Sequence, residues 1–559
     1  MSMTRTRRLG IGIGSLILLG VIFFLLTRNG LEQNVNSYEP YTPNPEVEQK
    51  VVELLAKMTL EEKIGQMLQV ERAGITLEEV TNYHIGSILS GGGSAPDLNT
   101  PEGWANMFDE FQQAALATRL QIPILYGVDA VHGHNNVPNA TIFPHNIGLG
   151  ATRDIALAER IGAVVAKEVR ATGVNWTFAP CLCVPIDERW GRTYEGFSED
   201  PQLTAELGTA FVRGYQNSAN PIIATLKHWV GDGATTGGVD QGLVEMPEDQ
   251  LRRYMEPYKP GIEAGARAVM VSYSSWNGLK THGDSYLITD VLKGELGFNG
   301  IVISDYNGVD QVHPEYKEAI KQSVNAGIDM IMVANVWKPL HEYLLELVNE
   351  NEIPMTRIDD AVTRILRVKF ESGVFEQPYA NRELVAAGVV GSDEHRALAR
   401  EAVRKSLVLL KNDQELLPIA SEKQKVFVAG ARADDIGVQS GGWTVFWQGG
   451  KGKITRGTTI LEGIQNAMTD RGTVTYHPNG EGVEGHDIAI VVVGEDPYAE
   501  YRGDKLDLSL NGDEIILLEK IQATGVPTVV ILLSGRPMII TDQLEASDAF
   551  VAAWLPGPS

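Results

Sequence analysis

Several apolar runs of this 559-residue sequence stop at a polar side chain. An acid lies near the end of "LYGVDA" and of "IVISD", at Asp129 and Asp305. Lys227 and His228 close "ATLKH", and Tyr273 follows "AVMVS". A carboxylate in such a place is costly to bury unless it is paired or used in chemistry. If these runs are parallel strands of one barrel, their carboxyl ends share a face, and the five side chains would converge on one pocket.

Each of these side chains also has a purely structural interpretation. A polar residue at a strand end can cap a neighbouring helix or join an ion pair, and structural ion pairs perturb acids as well. The same arrangement on four strands favours a shared pocket over four unrelated structural roles.

The elements that would position these residues are strands alternating with helices. Segments such as "MFDEFQQAALATRL" and "ALAERIGAVVAKEVRATG" carry apolar residues at helical spacing. Strands that are apolar on both faces and separated by helices indicate a parallel sheet. Seven units favour a closed (β/α)8 barrel of the TIM type, although periodicity alone does not prove closure. The strand-like runs are "IGSILS", "PILYGVDA", "FAPCLCV", "IIATLKH", "AVMVSYSS", "GIVISDY" and "IDMIMV".

A second α/β region follows the barrel. Its strand-like runs are "KVFVAGA", "IAIVVVGED", "TVVILLSG" and "FVAAWLPG". We therefore expect a barrel domain at residues 45–376, a linker at residues 377–393 and an α/β sandwich domain at residues 394–559. The chain stops at "LPGPS", directly after a strand-like run, so we expect the sandwich domain to be C-terminally truncated.

The first 35 residues differ in composition from the rest. Residues 9–26 are apolar without a charge, the residues before them are basic, and Thr27 and Arg28 close the run. This length is just sufficient to cross a bilayer. Without a convincing A-x-A cleavage site, residues 1–35 favour a retained signal anchor over a cleaved signal peptide. The basic flank would stay in the cytoplasm, so the rest would be periplasmic or extracellular and would meet the membrane only through residues 9–27.

The net charge of −25 and the pI near 4.9 exclude one class of partner. Nucleic-acid binding needs a basic face, so we expect no nucleic acid. An acidic, solvated surface suits an uncharged substrate.

Metal and disulfide chemistry are not expected. Cys181 and Cys183 stand one residue apart on a predicted strand end, so their side chains should point to opposite faces. We therefore expect packing residues rather than a mutual disulfide, and two cysteines are too few for a tetrahedral zinc site. No second histidine lies at ligand spacing from His228, so we expect neither a metal nor a cofactor.

Long stretches of the sequence resemble family 3 glycoside hydrolases, above all the two-domain β-D-glucan glucohydrolases and β-glucosidases. The similarity extends from about Pro45 to the last residue. It implies a barrel followed by an α/β sandwich, with the active site between them. It also implies a retaining, exo-acting enzyme that releases glucose from the non-reducing ends of β-linked gluco-oligosaccharides or glucans by double displacement. The segments that carry the resemblance are "LYGVDAVHGHNNVPNATIFPHNIGLGATRD", "DERWGRTYEGFSEDP", "LKHWVGDG", "MVSYSSWNG", "GIVISDYNGVDQV" and "GGWTVFWQGG".

The resemblance also implies roles for individual residues. Asp305 matches the catalytic nucleophile, and Glu500, in "VVVGEDPYAEYRGD", matches a general acid/base supplied by the second domain. Such an enzyme needs one ionised carboxylate and one protonated acid, so the pKa of Glu500 should be raised. The residues that match the set holding the cleaved sugar are Asp129, Arg192, Lys227, His228 and Tyr273. The entrance aromatics are Tyr306, Trp443 and Trp447, of which Trp447 would stack on the next glucose.

Three positions depart from the glucohydrolase pattern. Tyr306 stands where these enzymes usually have Trp, and Gln241 and Gln311 stand where the plant enzymes often carry charge. All three positions belong to the leaving-group side. The resemblance therefore supports glucose at the cleaved end more firmly than any particular linkage. In "KHWVGDG", Asp232 replaces the second histidine of the β-N-acetylhexosaminidase acid/base motif, which argues against that branch.

Alternatives remain for residues and for function. Without the resemblance, Glu500 could be an exposed loop glutamate and Trp447 a core residue. The functional alternatives are a β-xylosidase or another β-glycosidase of the family, and a non-catalytic, membrane-tethered sugar-binding protein. The joint presence of Asp305 and Glu500 weighs against the last of these.

Overall fold

The computed structural model describes residues 42–419 and 423–559. The predicted membrane segment at residues 9–26 therefore lies outside the described residues. Within the described part of the chain, no helix is both long enough and apolar enough to cross a bilayer.

Short strands make up the first part of the structure. They are β1 (Leu68–Glu71), β2 (Ser87–Ser90), β3 (Leu125–Val128), β4 (Trp176–Thr177), β5 (Thr225–Trp229), β6 (Leu243–Val244), β7 (Ala268–Val271), β8 (Ser275–Trp276), β9 (Leu279–Lys280), β10 (Ile301–Ile303) and β11 (Ile331–Val333). Strands β6, β8 and β9 form a small separate sheet.

The other eight strands form a closed ring. One parallel sheet has the order β11-β1-β2-β3-β4, and another has the order β10-β7-β5. Parallel bridges connect the two sheets at both junctions, Trp176 to Ile223 beside β5 and Ile303 to Met330 beside β11. The predicted (β/α)8 barrel is therefore confirmed.

Helices cover the outside of the ring, which is why its strands are apolar on both faces. Local sequence sets where they begin: Asp154 caps one by accepting the Leu157 N–H, and Pro101 follows the capping Thr100 of another. The helices are α1 (Pro45–Leu55), α2 (Leu60–Gln66), α3 (Leu77–Asn82), α4 (Pro101–Leu116), α5 (Asn146–Thr152), α6 (Ile155–Ala171), α7 (Pro201–Gln216), α8 (Glu248–Met255), α9 (Tyr258–Glu263), α10 (Tyr316–Ala326), α11 (Trp337–Asn349) and α12 (Met355–Glu371), with a π-helical segment at Tyr286–Glu295.

Two barrel strands differ from the sequence expectation. Strand β1 was not predicted, because two of its four buried residues, Gln69 and Glu71, are polar. The run "FAPCLCV" was predicted as a strand, but β4 lies just before it and the run itself is mostly irregular. Since strand alternation does not hold there, Cys181 and Cys183 face each other and form a disulfide, so the expectation of two free packing cysteines is wrong.

The second part of the structure is one six-stranded sheet with helices on both faces. Its order is β12-β17-β16-β15-β13-β14, and only the edge strand β12 is antiparallel to its neighbour. The strands are β12 (Val408–Asn412), β13 (Gln424–Ala429), β14 (Gly472–Tyr476), β15 (Ile488–Gly494), β16 (Thr528–Leu533) and β17 (Ala549–Trp554). The helices from the end of the barrel onward are α13 (Arg382–Ala386), α14 (Asp393–Ser406), α15 (Ile436–Ser440), α16 (Ile460–Met468), α17 (Gly512–Gln522) and α18 (Thr541–Ala546).

Two apolar cores explain this sandwich. One face of the sheet packs against Leu461 and Met468 of α16, and the other against Leu518 and Ile521 of α17. The four predicted strands correspond to β13, β15, β16 and β17. The two edge strands were not predicted, because "VLLKN" and "GTVTY" are partly exposed and lack a continuous apolar run.

Candidate active site

The site residues predicted from the sequence line one cavity of about 240 Å³. This volume lies below the roughly 300–1,000 Å³ of typical drug-sized ligand sites, so it suits a ligand as small as one sugar residue. The barrel contributes Asp129, Arg192, Lys227, His228, Tyr273, Asp305 and Tyr306, and the second domain contributes Trp443, Trp447 and Glu500.

A larger cavity, about 450 Å³, lies in the second domain beside the ends of β13 and β15. Two of its three cationic lining residues, Arg432 and Lys451, form ion pairs with Asp496, at 2.7 and 2.8 Å. The smaller cavity collects the strand-end acids together with aromatic side chains, so we place the candidate active site there.

One carboxyl oxygen of Asp305 accepts a hydrogen bond, and the other has no hydrogen-bond partner. It lies just beyond the end of β10, and its Oδ1 accepts the Tyr306 N–H at 2.7 Å. Its own backbone N–H donates to Nε2 of His282 at 3.0 Å; burial lowers the pKa of His282 to about 3, which keeps the ring neutral and able to accept. Oδ2 is buried without a hydrogen-bond partner and lies 3.5 Å from Nε2 of His228. The arrangement therefore leaves one carboxyl oxygen for a ligand.

Arg192 is the buried cation at the centre of the site. It is 3% exposed, and its Nε and Nη2 both donate to the Glu195 carboxylate at 2.9 Å. Its Nη1 lies 3.5 Å from Oε1 of Glu500, and its Nη2 lies 3.4 Å from Nε2 of His228. Burial disfavours the charge, but the Glu195 and Glu500 carboxyls raise the pKa of Arg192 well above its ordinary value.

Glu500 lies in the turn Glu500–Gly503 with a left-handed φ of 55°. Its side chain is 18% exposed, so the alternative of a solvated loop glutamate does not hold. Burial raises the pKa of Glu500 to about 8, with Arg192 opposing the shift and the negative charges of Glu195 and Asp305 adding to it. Glu500 is therefore protonated at neutral pH.

A carboxylate and a hydroxyl orient His228. Nδ1 of His228 lies 2.5 Å from Oδ2 of Asp232, and Oδ1 of Asp232 accepts the Ser272 hydroxyl at 2.6 Å. Although burial alone would raise it, the pKa of Asp232 is lowered, chiefly by His228. The ring is thus held so that Nε2 faces the cavity between Arg192 and Asp305.

A second ion pair joins the ends of β5 and β3. Nζ of Lys227 is 3.4 Å from Oδ1 of Asp129 and 5.8 Å from the ring centre of Trp443. Burial raises the pKa of Asp129, with Lys227 opposing. Trp443 donates its Nε1–H to Oε1 of Glu195 at 3.0 Å, so Glu195 binds Arg192 from the barrel and Trp443 from the second domain.

Aromatic rings surround the mouth of the cavity. Tyr306 is 36% exposed, and the hydroxyl of Tyr273 donates to its carbonyl oxygen. Trp447 is partly exposed rather than a core residue, and it meets the ring of Tyr501 edge-on at 6.0 Å. Flat, partly exposed rings suit the apolar faces of sugars.

Two family models match most of the chain. The model described as glycosyl hydrolase family 3 N terminal domain matches residues 59–368, and the one described as glycosyl hydrolase family 3 C-terminal domain matches residues 407–559. The chain belongs to glycosyl hydrolase family 3. The resemblance seen in the sequence is thereby confirmed, and the protein is a glycoside hydrolase.

Named relatives agree with this assignment. The family 3 chain is 36% identical over 561 residues to the lysosomal beta glucosidase of Dictyostelium discoideum, covering 90% of this chain and 68% of that one. It is 30% identical over 592 residues to the periplasmic beta-glucosidase of Salmonella typhimurium, and the match covers 96% of this chain and 74% of that one. A mutant of the exo-1,3/1,4-beta-glucanase ExoP from a Pseudoalteromonas species superposes with a TM-score of 0.90 at 43% identity, covering 94% of this chain and 88% of that one.

Sequence reasoning missed four residues of this family 3 site. Glu195 carried a signal, because R-x-x-E spacing on a short helical turn brings Arg192 and Glu195 together. His282, Asp240 and Asp504 carried none, since each acts through contacts between segments far apart in the sequence.

Asp504 connects the loop that carries Glu500 to the barrel. In this acid loop, residues 495–505, Oδ1 of Asp504 accepts the Gly191 N–H and Oδ2 accepts the Asp240 N–H, both at 2.8 Å. A Cβ on Gly191 would come within 2.1 Å of the Glu500 carbonyl oxygen, so only glycine allows this approach. The loop therefore lies directly on the barrel backbone.

Arg536 holds the other end of the acid loop. It is 1% exposed and donates to the carbonyl oxygens of Glu188 and Gly503 at 2.9 and 2.6 Å and to the Tyr498 hydroxyl at 2.9 Å. It also pairs with Glu495 at 3.2 Å, which gives that acid a structural partner away from the cavity.

Asp504→Asn is expected to lower kcat by about 10–100-fold with a smaller change in KM, because displacing a catalytic group by about 1 Å can cost 10²-fold. The amide oxygen could still accept one of the two backbone N–H groups, but the NH2 group would face the other donor and loosen the acid loop. Steady-state hydrolysis of an aryl β-glucoside provides the measurement. Asp507→Asn, an exposed acid just beyond the loop, is the matched control and should behave as wild type. Equal kcat values for both variants and wild type would show that Asp504 does not position Glu500.

Proposed function

We propose that this protein is a retaining, exo-acting β-glucosidase that releases glucose from the non-reducing ends of β-linked gluco-oligosaccharides or glucans. One observation carries the proposal: two carboxyl groups with different surroundings face the same small cavity. Asp305 offers a buried oxygen without a partner, and Glu500 is protonated because its pKa is raised to about 8. A retaining glycosidase requires this combination of nucleophile and acid.

The proposed reaction has two steps. Oδ2 of Asp305 attacks the anomeric carbon while the carboxylic acid of Glu500 gives its proton to the departing glycosidic oxygen. Glu500, now ionised, then takes a proton from water, and that water displaces Asp305 from the glycosyl-enzyme. Arg192 lies 3.5 Å from Glu500, where it would stabilise the carboxylate formed in the first step.

The remaining cavity residues would hold one glucose ring. Asp129 would accept hydrogen bonds from sugar hydroxyls, while Lys227, His228 and Arg192 would donate to sugar oxygens. A cavity of about 240 Å³ leaves room for the terminal unit but not for the interior of a chain, which supports exo action.

The residues that would contact the leaving group support a β-glucan substrate but do not select a single linkage. Tyr306 and Trp447 would contact the next glucose at the mouth of the cavity. A relative at 43% identity is named an exo-1,3/1,4-beta-glucanase, so we propose 1,3- and 1,4-linked gluco-oligosaccharides as substrates. Product analysis on laminari- and cello-oligosaccharides by NMR reports linkage preference and anomeric configuration together, and an initial α-glucose product would exclude retention.

Asp305→Ala is expected to abolish hydrolysis of aryl β-glucosides, whereas Glu500→Ala should lose about 10²–10⁴-fold with poor leaving groups, the usual contribution of general acid catalysis. Glu500→Ala should retain most of the glycosylation rate on a dinitrophenyl glucoside, which needs no proton to depart. Added azide should then restore turnover and yield β-glucosyl azide. Initial rates and NMR of the products provide the measurements.

Asp507→Ala is the matched control for these variants, because it removes an exposed carboxylate outside the cavity. Unchanged turnover of Asp305→Ala would remove Asp305 from the mechanism. An equal loss of rate for good and poor leaving groups in Glu500→Ala, without azide rescue, would remove Glu500 as the acid. Hydrolysis of aryl xylosides in preference to glucosides would favour the β-xylosidase alternative.

The pH dependence of kcat/KM is expected to show an alkaline limb near pH 8. Glu500 is protonated below its pKa of about 8, and only the protonated form is an acid catalyst, so activity should fall as pH rises through this value. Burial raises the pKa of Asp240 to about 6, so Asp240 is ionised at pH 8, and its charge helps to raise the pKa of Glu500. Asp240→Asn should therefore move the limb to lower pH.

Asp507→Asn serves as the control for the pH experiment, since it removes a surface charge and should leave the limb in place. Asn at position 240 can still accept the Trp190 Nε1–H that Asp240 accepts at 2.9 Å, so the local packing is kept. A limb that stays at the same pH in Asp240→Asn contradicts the proposed electrostatic effect of Asp240 on Glu500.

The domain boundaries and the location of the protein are also proposals. We place the barrel domain at residues 45–376, a linker at 377–393 and the sandwich domain at 394–559. We propose a location outside the cytoplasm, supported by the apolar residues 9–26 and by a relative named as periplasmic.

Leu18→Arg is expected to release the anchored protein from membranes, because arginine at the centre of a membrane helix costs about 2.5–3.5 kcal/mol on insertion scales. Activity in the carbonate-washed membrane fraction, together with the intact mass, provides the measurement. Thr6→Arg, in the basic flank, is the control and should stay bound. If the wild-type protein is soluble and its mass shows that residues 1–26 have been removed, the segment is a cleaved signal peptide and not an anchor.

A further inference from the structure

The Cys181–Cys183 pair lies against two residues of the candidate active site. The cysteines are 3% and 2% exposed and pack with Trp190. Their sulfur atoms lie within 4.8 Å of a ring nitrogen of His228 and a carboxylate oxygen of Asp232. Sequence reasoning considered only histidine pairs and cysteine number, so it did not find this cluster.

The backbone holds the cysteine segment against the end of β5. Cys181 forms a parallel bridge with Lys227, whose carbonyl oxygen accepts the Leu182 N–H at 2.7 Å. The cysteine segment is thus fixed beside the end of β5, where His228 lies. The disulfide itself shows that both sulfur atoms face the same point, as the two donors of a chelate must.

The four donors match a known class of metal site. Two thiolates, an imidazole and a carboxylate are ligands that Zn²⁺ accepts in tetrahedral sites, and thiolates favour soft, thiophilic cations. Only the thiolate form of cysteine binds a metal, so the disulfide cannot supply these ligands. The oxidation state of Cys181 and Cys183 therefore decides whether the site exists.

We infer that the reduced cysteine pair, with Asp232 and His228, binds one thiophilic divalent cation such as Zn²⁺ or Cd²⁺, and that the disulfide prevents this binding. Reduction by a thiol reductant transfers two electrons and two protons to the disulfide, gives the thiols of Cys181 and Cys183, and leaves the reductant as its own disulfide. Metal binding then forms two metal–sulfur bonds and releases the two thiol protons to water.

The same cation would interfere with the active site. Its imidazole ligand would be Nδ1 of His228, which now bonds to Oδ2 of Asp232 at 2.5 Å. A metal between these groups replaces that hydrogen bond and moves the ring that faces Arg192 and Asp305. We therefore expect the bound cation to inhibit hydrolysis.

Cadmium titration of the full chain tests the binding. Reduced wild type should bind one additional Cd²⁺ per chain relative to oxidised wild type, with the thiolate-to-cadmium charge-transfer absorption, as measured by equilibrium dialysis and ultraviolet difference spectra. Oxidised wild type and Cys181→Ser/Cys183→Ser should lack both signals. Reduced Asp232→Asn should bind Cd²⁺ at least about 10-fold more weakly, as expected for loss of a group at a metal site.

Oxidised wild type keeps the test valid even if the double variant does not fold, because it has the same residues as the reduced protein. Equal Cd²⁺ binding by the oxidised and reduced forms, or absence of the thiolate absorption after reduction, overturns the site. An unchanged affinity in Asp232→Asn overturns the participation of Asp232.

Hydrolysis of an aryl β-glucoside gives an independent readout. Zn²⁺ should lower the activity of reduced wild type by at least about 10-fold, with recovery on chelation, and should leave oxidised wild type unaffected. Inhibition of both forms alike would place the inhibitory metal elsewhere and overturn the proposed effect. Thiolate absorption with unchanged activity would overturn the involvement of His228.

Discussion

The guanidinium of Arg192 lies between Glu195, Glu500 and His228 with almost no access to water. A guanidinium buried there without a partner would be strongly unfavourable. The neighbouring carboxylates would be equally unfavourable if Arg192 were absent. Two close hydrogen bonds make Glu195 the permanent partner of Arg192, whereas Glu500 stands farther away at 3.5 Å. Because Glu195 already balances the guanidinium, Glu500 is free to stay protonated until the reaction gives it a negative charge.

This electrostatic arrangement requires both domains to be in contact. The raised pKa of Glu500 comes first from burial, and burial exists only where the acid loop lies on the barrel. The carboxylate of Asp504 accepts the N–H groups of Gly191 and Asp240, and the guanidinium of Arg536 donates to the carbonyl oxygens of Glu188 and Gly503. Side chains of the loop, Tyr498 and Glu495, add to the Arg536 contacts. Glu195, which binds Arg192 and Trp443, links the charge network to the same interface. The pKa of Glu500 therefore depends on how the second domain packs on the barrel.

The sequence predicts best what depends on local pattern. Apolar runs revealed most of the buried strands, and polar residues at their ends located the barrel part of the site. Strand β1 was missed because Gln69 and Glu71 interrupt its apolar pattern, although Nε2 of the buried Gln69 donates to the Ser87 hydroxyl. The expectation of two free cysteines was wrong because alternation was assumed where the backbone is irregular. Glu500 could be named only through the family resemblance, since no local signal indicates which barrel group a distant loop will meet.

The buried charges and the exposed entrance are physically separate parts of the site. Arg192 and Asp305 are almost fully enclosed, and a change in either alters the balance of charge for its neighbours. Tyr306 and Tyr501 are 36% and 50% exposed, and they contribute flat surface rather than charge. Substitution at the entrance can therefore change which glucose linkage is accepted without disturbing the protonation of Glu500. Tyr306, the cavity-lining residue that departs from the glucohydrolase pattern, belongs to this exposed entrance, while the enclosed charges follow the pattern.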